Sequence, residues 1–279
     1  ARSLATGIEE VALDMAPYAF DDQYQDCSSK MVEELPSLSR SEFVPNTSYS
    51  KAWDKAIVQW HRHPSLGPLR WKEQAIALLA YTLETDLYKD FNKAVPMAGH
   101  SREDYLDTFH FKVVHFLLTE ALGDLRDAKS HPVCLHVYRG IRGVRFTAKP
   151  GQIIRFGQFT SSSLKKEVAR GFGTDTFFEL DTCQGAAIRD FSSMPWEDEV
   201  LIPPFETFNV TNVTRQSDTT YIHLHSHGVY SKYNCEWLRG HRLCWDRVVS
   251  GGAVHGGRSV PREPPHLAGL LLAALALAV

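Results

Sequence analysis

The 279-residue chain reads as an α+β fold, with a helical first half and a strand-rich second half. Three observations predict this. Apolar residues recur at helical spacing up to about residue 123, and they alternate with polar ones after about residue 134. The helices come first and the strands follow, without a βαβ repeat. A 43% hydrophobic content with six Trp, ten Tyr and fifteen Phe is enough for a substantial core.

In chain order, Lys51 to Trp60 is a helix with Trp53, Ile57, Val58 and Trp60 as its apolar residues. Lys72 to Leu87 carries Ile76, Leu79, Ala80 and Leu83 at the same spacing. Ser101 with Asp104 forms a capping box that opens the clearest helix. Its stripe is Tyr105, Phe109, Val113, Phe116, Leu117 and Leu122, and it ends near Gly123. Strands follow at Leu135 to Tyr138, Gln152 to Phe156, Thr176 to Leu180 and Val200 to Ile202. Phe208 to Arg215 and Thr220 to His225 form a late hairpin. Lys165 to Phe172 is a short helix that Ser161, Ser162 or Ser163 could cap.

The division is a 1–20 N-terminal extension, one domain over 21–248, a 249–266 stalk and a 267–279 apolar tail. Within the domain, the helical part covers about 21–130 and the β-rich part about 131–248. The tail, LAGLLLAALALAV, has no charge. At roughly 20 Å as a helix it falls short of the roughly 30 Å hydrocarbon core. Ser250-Gly251-Gly252-Ala253, a polar spacer and this tail have the layout of a GPI-attachment signal. A terminal core helix is the alternative, but the Gly/Pro-rich stretch detaches it.

Net charge is −3, which gives no electrostatic case for a nucleic-acid partner. Cys27, Cys134, Cys183, Cys235 and Cys244 include no C-x-x-C pair, so disulfides are expected over structural zinc. Asn46, Asn209 and Asn212 each open a glycosylation sequon. With the start at Ala1, these features are read as a secreted chain whose signal has been removed.

The chemistry centres on Glu197-Asp198-Glu199 before Val200-Leu201-Ile202. On a strand, Glu197 and Glu199 share one face and raise each other's pKa. A solvated acidic turn is the plain alternative. Arg139 precedes Gly140 at a strand end, where an Arg can grip a phosphate or carboxylate bidentately. The glycine would let a backbone or ligand approach closely. Phe159-Thr160-Ser161-Ser162-Ser163 offers hydroxyls to a polar ligand. His223, His225 and His227 face one way on a strand. They could build a zinc site, or form a polar edge opposite Ile222 and Leu224. No Walker sequence, strand-following G-x-G-x-x-G or G-x-S-x-G is present.

Arg139-Gly140, then Phe159 to Ser163, then Glu197-Asp198-Glu199-Val200 resembles the R-S-E order of arginine-specific mono-ADP-ribosyltransferases, the vertebrate ecto-enzymes. The resemblance runs from Phe20-Asp21-Asp22 to Asn234-Cys235-Glu236. It includes Ala77 to Thr82, Phe116 to Leu122 and Glu199 to Pro204. It implies a two-sheet cleft that binds NAD as co-substrate, with no metal. It implies transfer of one ADP-ribose to arginine side chains of extracellular or cell-surface proteins. NAD hydrolysis on the same fold and a silent surface glycoprotein are the other readings. Arg139 would grip phosphates, Ser161 would hold the ribose side, and Glu199 would be the catalytic carboxylate. Glu197 would orient and deprotonate the acceptor guanidinium, and Tyr81, Gly140, Gln158 and Ser192 would be further NAD contacts. The resemblance also implies Cys27–Cys235 and Cys134–Cys183 bridges. The location implied is the outer cell surface through a GPI anchor, or secretion.

Overall fold

A computed structural model describes residues 8–129 and 134–239. The stalk, the apolar tail, Cys244 and Ser250 to Ala253 lie outside the described residues.

The helical part comprises α1 (Ser28–Phe43), α2 (Thr47–Arg62), α3 (Lys72–Thr82), α4 (Asp86–Ala94), α5 (Arg102–Asp107) and α6 (Lys112–Asp127). Before it runs β1 (Glu9–Ala12). After it come β2 (Leu135–Ile141), β3 (Val144–Thr147), β4 (Ile153–Arg155), β5 (Thr160–Ser163), α7 (Lys166–Gly171) and β6 (Thr176–Thr182). The chain continues through β7 (Ala186–Ala187), β8 (Glu199–Ile202), β9 (Glu206–Gln216), β10 (Thr219–Val229) and α8 (Glu236–Arg239).

Two helices differ from the sequence reading. The helix from Lys72 stops at Thr82, because Leu83 is extended. A separate helix, α4, starts at Asp86. From Glu73 to Tyr81 every side chain of α3 is buried. It is therefore a central helix covered on all sides, not an amphipathic one. The stripe from Tyr105 to Leu122 is shared by α5 and α6, and the chain turns between them at 108–111. Both bury their apolar residues in the same cluster, which is why the pattern continues across the break. Gly123 does not end α6. A Cβ added there would meet nothing within 4 Å. Ser101 caps α5 as expected, its hydroxyl accepting from the Asp104 amide at 3.0 Å.

The strands form an eight-stranded sheet in the order β4-β9-β10-β6-β2-β5-β8-β7, and β1 pairs with β3 separately. The large sheet is nearly divided in two. β2 pairs with β6 at seven positions but meets β5 only at Tyr138↔Ser163. The arm β5-β8-β7 thus splays from the arm β4-β9-β10-β6-β2, and the cleft opens at this seam. In β8, Val200 and Ile202 join a core among the strands, while Leu201 joins the core beneath the helices. Alternation along one strand links both cores.

The segment 1–20 is no extension from Glu9 onward. β1 runs parallel to β3, and Leu13 is in the strand core. Asp14 and Met15 carbonyls accept from the Arg155 amide and guanidinium. Arg155 is buried and pairs with Asp21 at 2.6 Å. Asp21 also accepts from the Lys232 and Tyr233 amides, and Asp22 from those of Tyr24, Cys235 and Glu236. Consecutive carboxylates thus stitch the start of the fold to its end, and the Cys27–Cys235 bond closes the same junction. A second bond, Cys134–Cys183, joins the start of β2 to the end of β6.

Candidate active site

A cavity of about 830 Å³ opens at the β2/β5 seam, within the range of ligand pockets. Arg139, Ser161, Glu197, Glu199, Gly140 and Tyr81 all line it. The fold therefore brings together the three separated sequence motifs.

Arg139 lies inside β2, not at its end as the sequence suggested, since the strand continues to Ile141. Its Nη1 crosses the seam to the Ser161 carbonyl at 2.5 Å. Gly140 is required by the backbone packed against it. A Cβ there would lie 2.2 Å from the Ala169 carbonyl oxygen and 2.3 Å from that of Gly173. Glycine thus lets α7 and the turn after it close over β2, placing Val168, Ala169 and Phe172 on the cavity wall.

Of the three consecutive serines, two have structural duties. Ser162 Oγ donates to the Val200 carbonyl at 2.8 Å. Ser163 Oγ donates to the Glu197 carbonyl at 2.6 Å and accepts from the Lys165 amide. The Ser163 side chain thus fixes the entry to α7, whose N-cap Lys165 makes no side-chain cap bond, and it also anchors the acidic turn. Ser161 is the one whose hydroxyl bonds the Glu199 carboxyl.

Glu197 and Glu199 both face the cavity, but not through strand alternation. Glu197 ends a 3₁₀ turn over Pro195–Glu197, and Asp198 has φ 44°, a left-handed conformation. Glu199 is the first residue of β8. The left-handed step turns Asp198 away to Lys165 and Arg189, at 2.6 and 2.9 Å. Those cations hold its carboxyl below the usual range, the Lys165 bond most of all.

Glu199 is only 6% exposed. Burial pushes its carboxyl from the ordinary 4.5 up to about 7; the Ser161 bond opposes this, Glu197 adds to it, and Arg139 opposes it. Burial, more than repulsion, is the larger cause. The Glu197 carboxyl is also raised, by burial first and then by the nearby Glu84 charge. Tyr81 is buried below the cavity. Its hydroxyl donates to the Phe159 carbonyl at 3.1 Å and accepts from Asn92. Burial raises its pKa well above 10.

Other sequence candidates fall elsewhere. Gln158 and Ser192 are not on the cavity wall. Ser192 Oγ instead accepts from the Met194 amide, turning the loop that leads to Glu197. Thr160 is 1% exposed and bonds the Gln158 carbonyl, so it packs inward and leaves the pocket unaltered. Asn46 caps α2 by accepting from the Tyr49 amide, and its Nδ2 donates to the His110 carbonyl. Asn209 is half-buried and Asn212 exposed, both on β9. His225 and His136 both bond Asp181, which lies on the strand between theirs. Ile222 and Leu224 are buried on the other face. Among the described residues no cluster of His, Cys, Asp and Glu is placed to hold a metal.

Several wall residues had no signal in the sequence. Glu84 sits in the turn after α3, while Lys51, Lys55 and Lys89 approach from α2 and α4. An apolar residue followed by Glu-Thr-Asp marks the turn only once the end of α3 is known.

A family model described as NAD:arginine ADP-ribosyltransferase matches residues 13–232. The chicken erythroblast NAD(P)(+)–arginine ADP-ribosyltransferase is 48% identical over 95% of this chain and 88% of its own length. The mouse GPI-linked NAD(P)(+)–arginine ADP-ribosyltransferase 1 is 44% identical over 90% of this chain and 82% of its own. Among solved structures, the eukaryotic mono-ADP-ribosyltransferase ART2.2 superposes with a TM-score of 0.70 at 38% identity. The match covers 81% of this chain and 98% of that one. A mutant of ART2.2 in complex with NAD gives 0.69 at 37% identity, over the same shares.

Proposed function

The chain belongs to the NAD:arginine ADP-ribosyltransferase family, and we propose on that premise how its cavity works. The enzyme transfers one ADP-ribose from NAD to arginine side chains, releasing nicotinamide. NAD supplies an electrophilic ribose carbon once its bond to nicotinamide breaks, the bonding electrons leaving with nicotinamide. Glu199 stabilises the positive charge that develops on that ribose. Its burial strengthens the effect, because a carboxylate in a poorly solvated cavity acts through a lower dielectric than in water. Ser161 holds the Glu199 carboxyl in place, and Arg139, across the seam, is placed for phosphate oxygens. Gly140 contributes by letting α7 close on the strand.

Glu197 orients the acceptor guanidinium and takes the proton lost as the new C–N bond forms. A guanidinium is otherwise always protonated, so a carboxylate with raised affinity for a proton suits the task. The observation that carries this reading is one buried and one half-buried carboxylate lining one cavity together with Arg139 and Ser161.

The proteins modified are extracellular or cell-surface ones. Attachment through a GPI anchor would use the apolar 267–279 tail, in keeping with the GPI-linked mouse and human relatives. Among the described residues no helix is long and apolar enough to cross a membrane.

Labelled NAD with agmatine or polyarginine should give a labelled adduct. Glu197→Gln is expected to lose about 100-fold in transfer while NAD hydrolysis stays within a few-fold. Equal loss of both would contradict the role given to Glu197.

A further inference from the structure

A third carboxylate, Glu84, stands on the wall of the same cavity without a structural duty. Helix α3 ends at Thr82, and Glu84 follows in the turn to α4. That turn is fixed against the loop carrying Glu197. The Ser193 amide donates to Thr82 Oγ1 at 2.9 Å, and Ser193 Oγ donates to the Thr82 carbonyl at 2.6 Å. Two residues from one end of this double bond is Glu84; four from the other is Glu197. Both side chains line the cavity, and the Glu84 charge is near enough to act on Glu197.

Among the described residues neither side chain has a hydrogen bond or ion pair. An exposed Glu alone needs no explanation. Two carboxylates on the wall of one cavity, the charge of one acting on the other, do, because their repulsion persists until a cation comes between them. A guanidinium fits this need. It is planar, carries five N–H donors and can present different edges to two carboxylates at once. An ammonium lacks that second edge.

We infer that Glu84 is a further specificity-determining residue for the acceptor: it holds the arginine guanidinium from the α3–α4 turn while Glu197 receives its proton. The inference rests on the reading of Glu197 given above. Glu197 lies closer to the buried Glu199 and is the one placed for chemistry. Glu84, more exposed, contributes binding and alignment. Lys51 and Lys55 on α2 and Lys89 on α4 line the same cavity and are the competing partners for Glu84, Lys89 being the one that follows it in the chain.

The test separates the two substrates kinetically. Glu84→Gln should raise the agmatine KM about 5- to 10-fold, with kcat and the NAD KM each moving less than about twofold. Glu84→Asp should lie between the two. The difference should shrink as salt rises from 20 to roughly 300 mM, because Glu84 is exposed. An unchanged agmatine KM overturns the inference, as does an equal rise in both KM values. A Lys89→Ala variant that reproduces the acceptor defect also overturns it, since Glu84 would then act only as that lysine's partner. If the wild type forms no agmatine adduct, the proposed function fails instead. If the wild type and Glu197→Gln behave as stated and Glu84→Gln is silent, only the present inference fails.

Discussion

Glu206 and Glu199 are buried carboxylates on the same sheet, and their surroundings are opposite. Glu206 opens β9 and accepts from the Thr182 and Ser226 hydroxyls and the Cys183 and Gln184 amides. It is a clasp on the loop after β6, next to the Cys134–Cys183 bond. Glu199 opens β8, has the Ser161 hydroxyl as its hydrogen-bond donor and faces a cavity. The same contrast separates Asp21 and Asp22, enclosed by a guanidinium and five backbone amides, from Glu197 and Glu84, which have no partner among the described residues. Donors surround the carboxylates that build the fold and are sparse around those on the cavity wall. A carboxylate already saturated with hydrogen bonds has little left for a developing charge.

The sharpest break of this contrast is to neutralise each member in turn. Glu199→Gln should lower kcat/KM for nicotinamide release about 1,000-fold, close to 4 kcal/mol in the barrier. Glu206→Gln should leave kcat/KM within about threefold and lower stability by about 1–3 kcal/mol. Comparable catalytic loss in both would erase the distinction.

Next in size is Asp21→Ala, which leaves the Arg155 guanidinium buried without its carboxylate. Denaturant unfolding should show a loss of about 3–5 kcal/mol. A loss under 1 kcal/mol would mean that the Met15, Ala16 and Tyr230 carbonyls suffice for Arg155.

A smaller effect is read from pH. The Glu199 pKa is raised on folding, from 4.5 to about 7. Its stabilising contribution is therefore complete below about 4.5 and is lost as pH rises through about 7. Glu199→Gln removes this dependence. It should gain on the wild type between pH 5 and 8 by up to about 3 kcal/mol. Activity moves the other way, since the ionised form is the one that stabilises positive charge. kcat/KM should rise through about pH 7. Parallel unfolding curves for the two proteins at both pH values would remove burial as the cause.

Elements that bury one face were the most legible. The hairpin of β9 and β10 matched its alternation because Ile222 and Leu224 point into the core and His223 and His225 away from it. Helix ends were less so. Nothing local marks Thr82 as the end of α3, and the stripe shared by α5 and α6 hides the turn between them. At the site, residue type and order singled out Arg139, Ser161 and Glu199, and the fold brings all three to one cavity. Gln158 and Ser192 lie off the cavity wall, and Glu84 was invisible, because each position depends on which loop lies against which.

Sequence by itself determined the chemical parts and their order: a strand arginine, a serine after an aromatic, and a pair of glutamates before an apolar strand. It also determined that Glu197 and Glu199 would face the same way, although by a reason the fold replaced. Strand alternation was expected to align them, and the left-handed Asp198 does so instead. Tertiary structure alone decided that Glu199 is buried with the Ser161 hydroxyl as donor, that Glu206 is enclosed, and that Glu84 shares the cavity wall with Glu197. The physical reason is that a carboxylate's proton affinity and reactivity depend on excluded water and on donors distant along the chain. No local pattern records those.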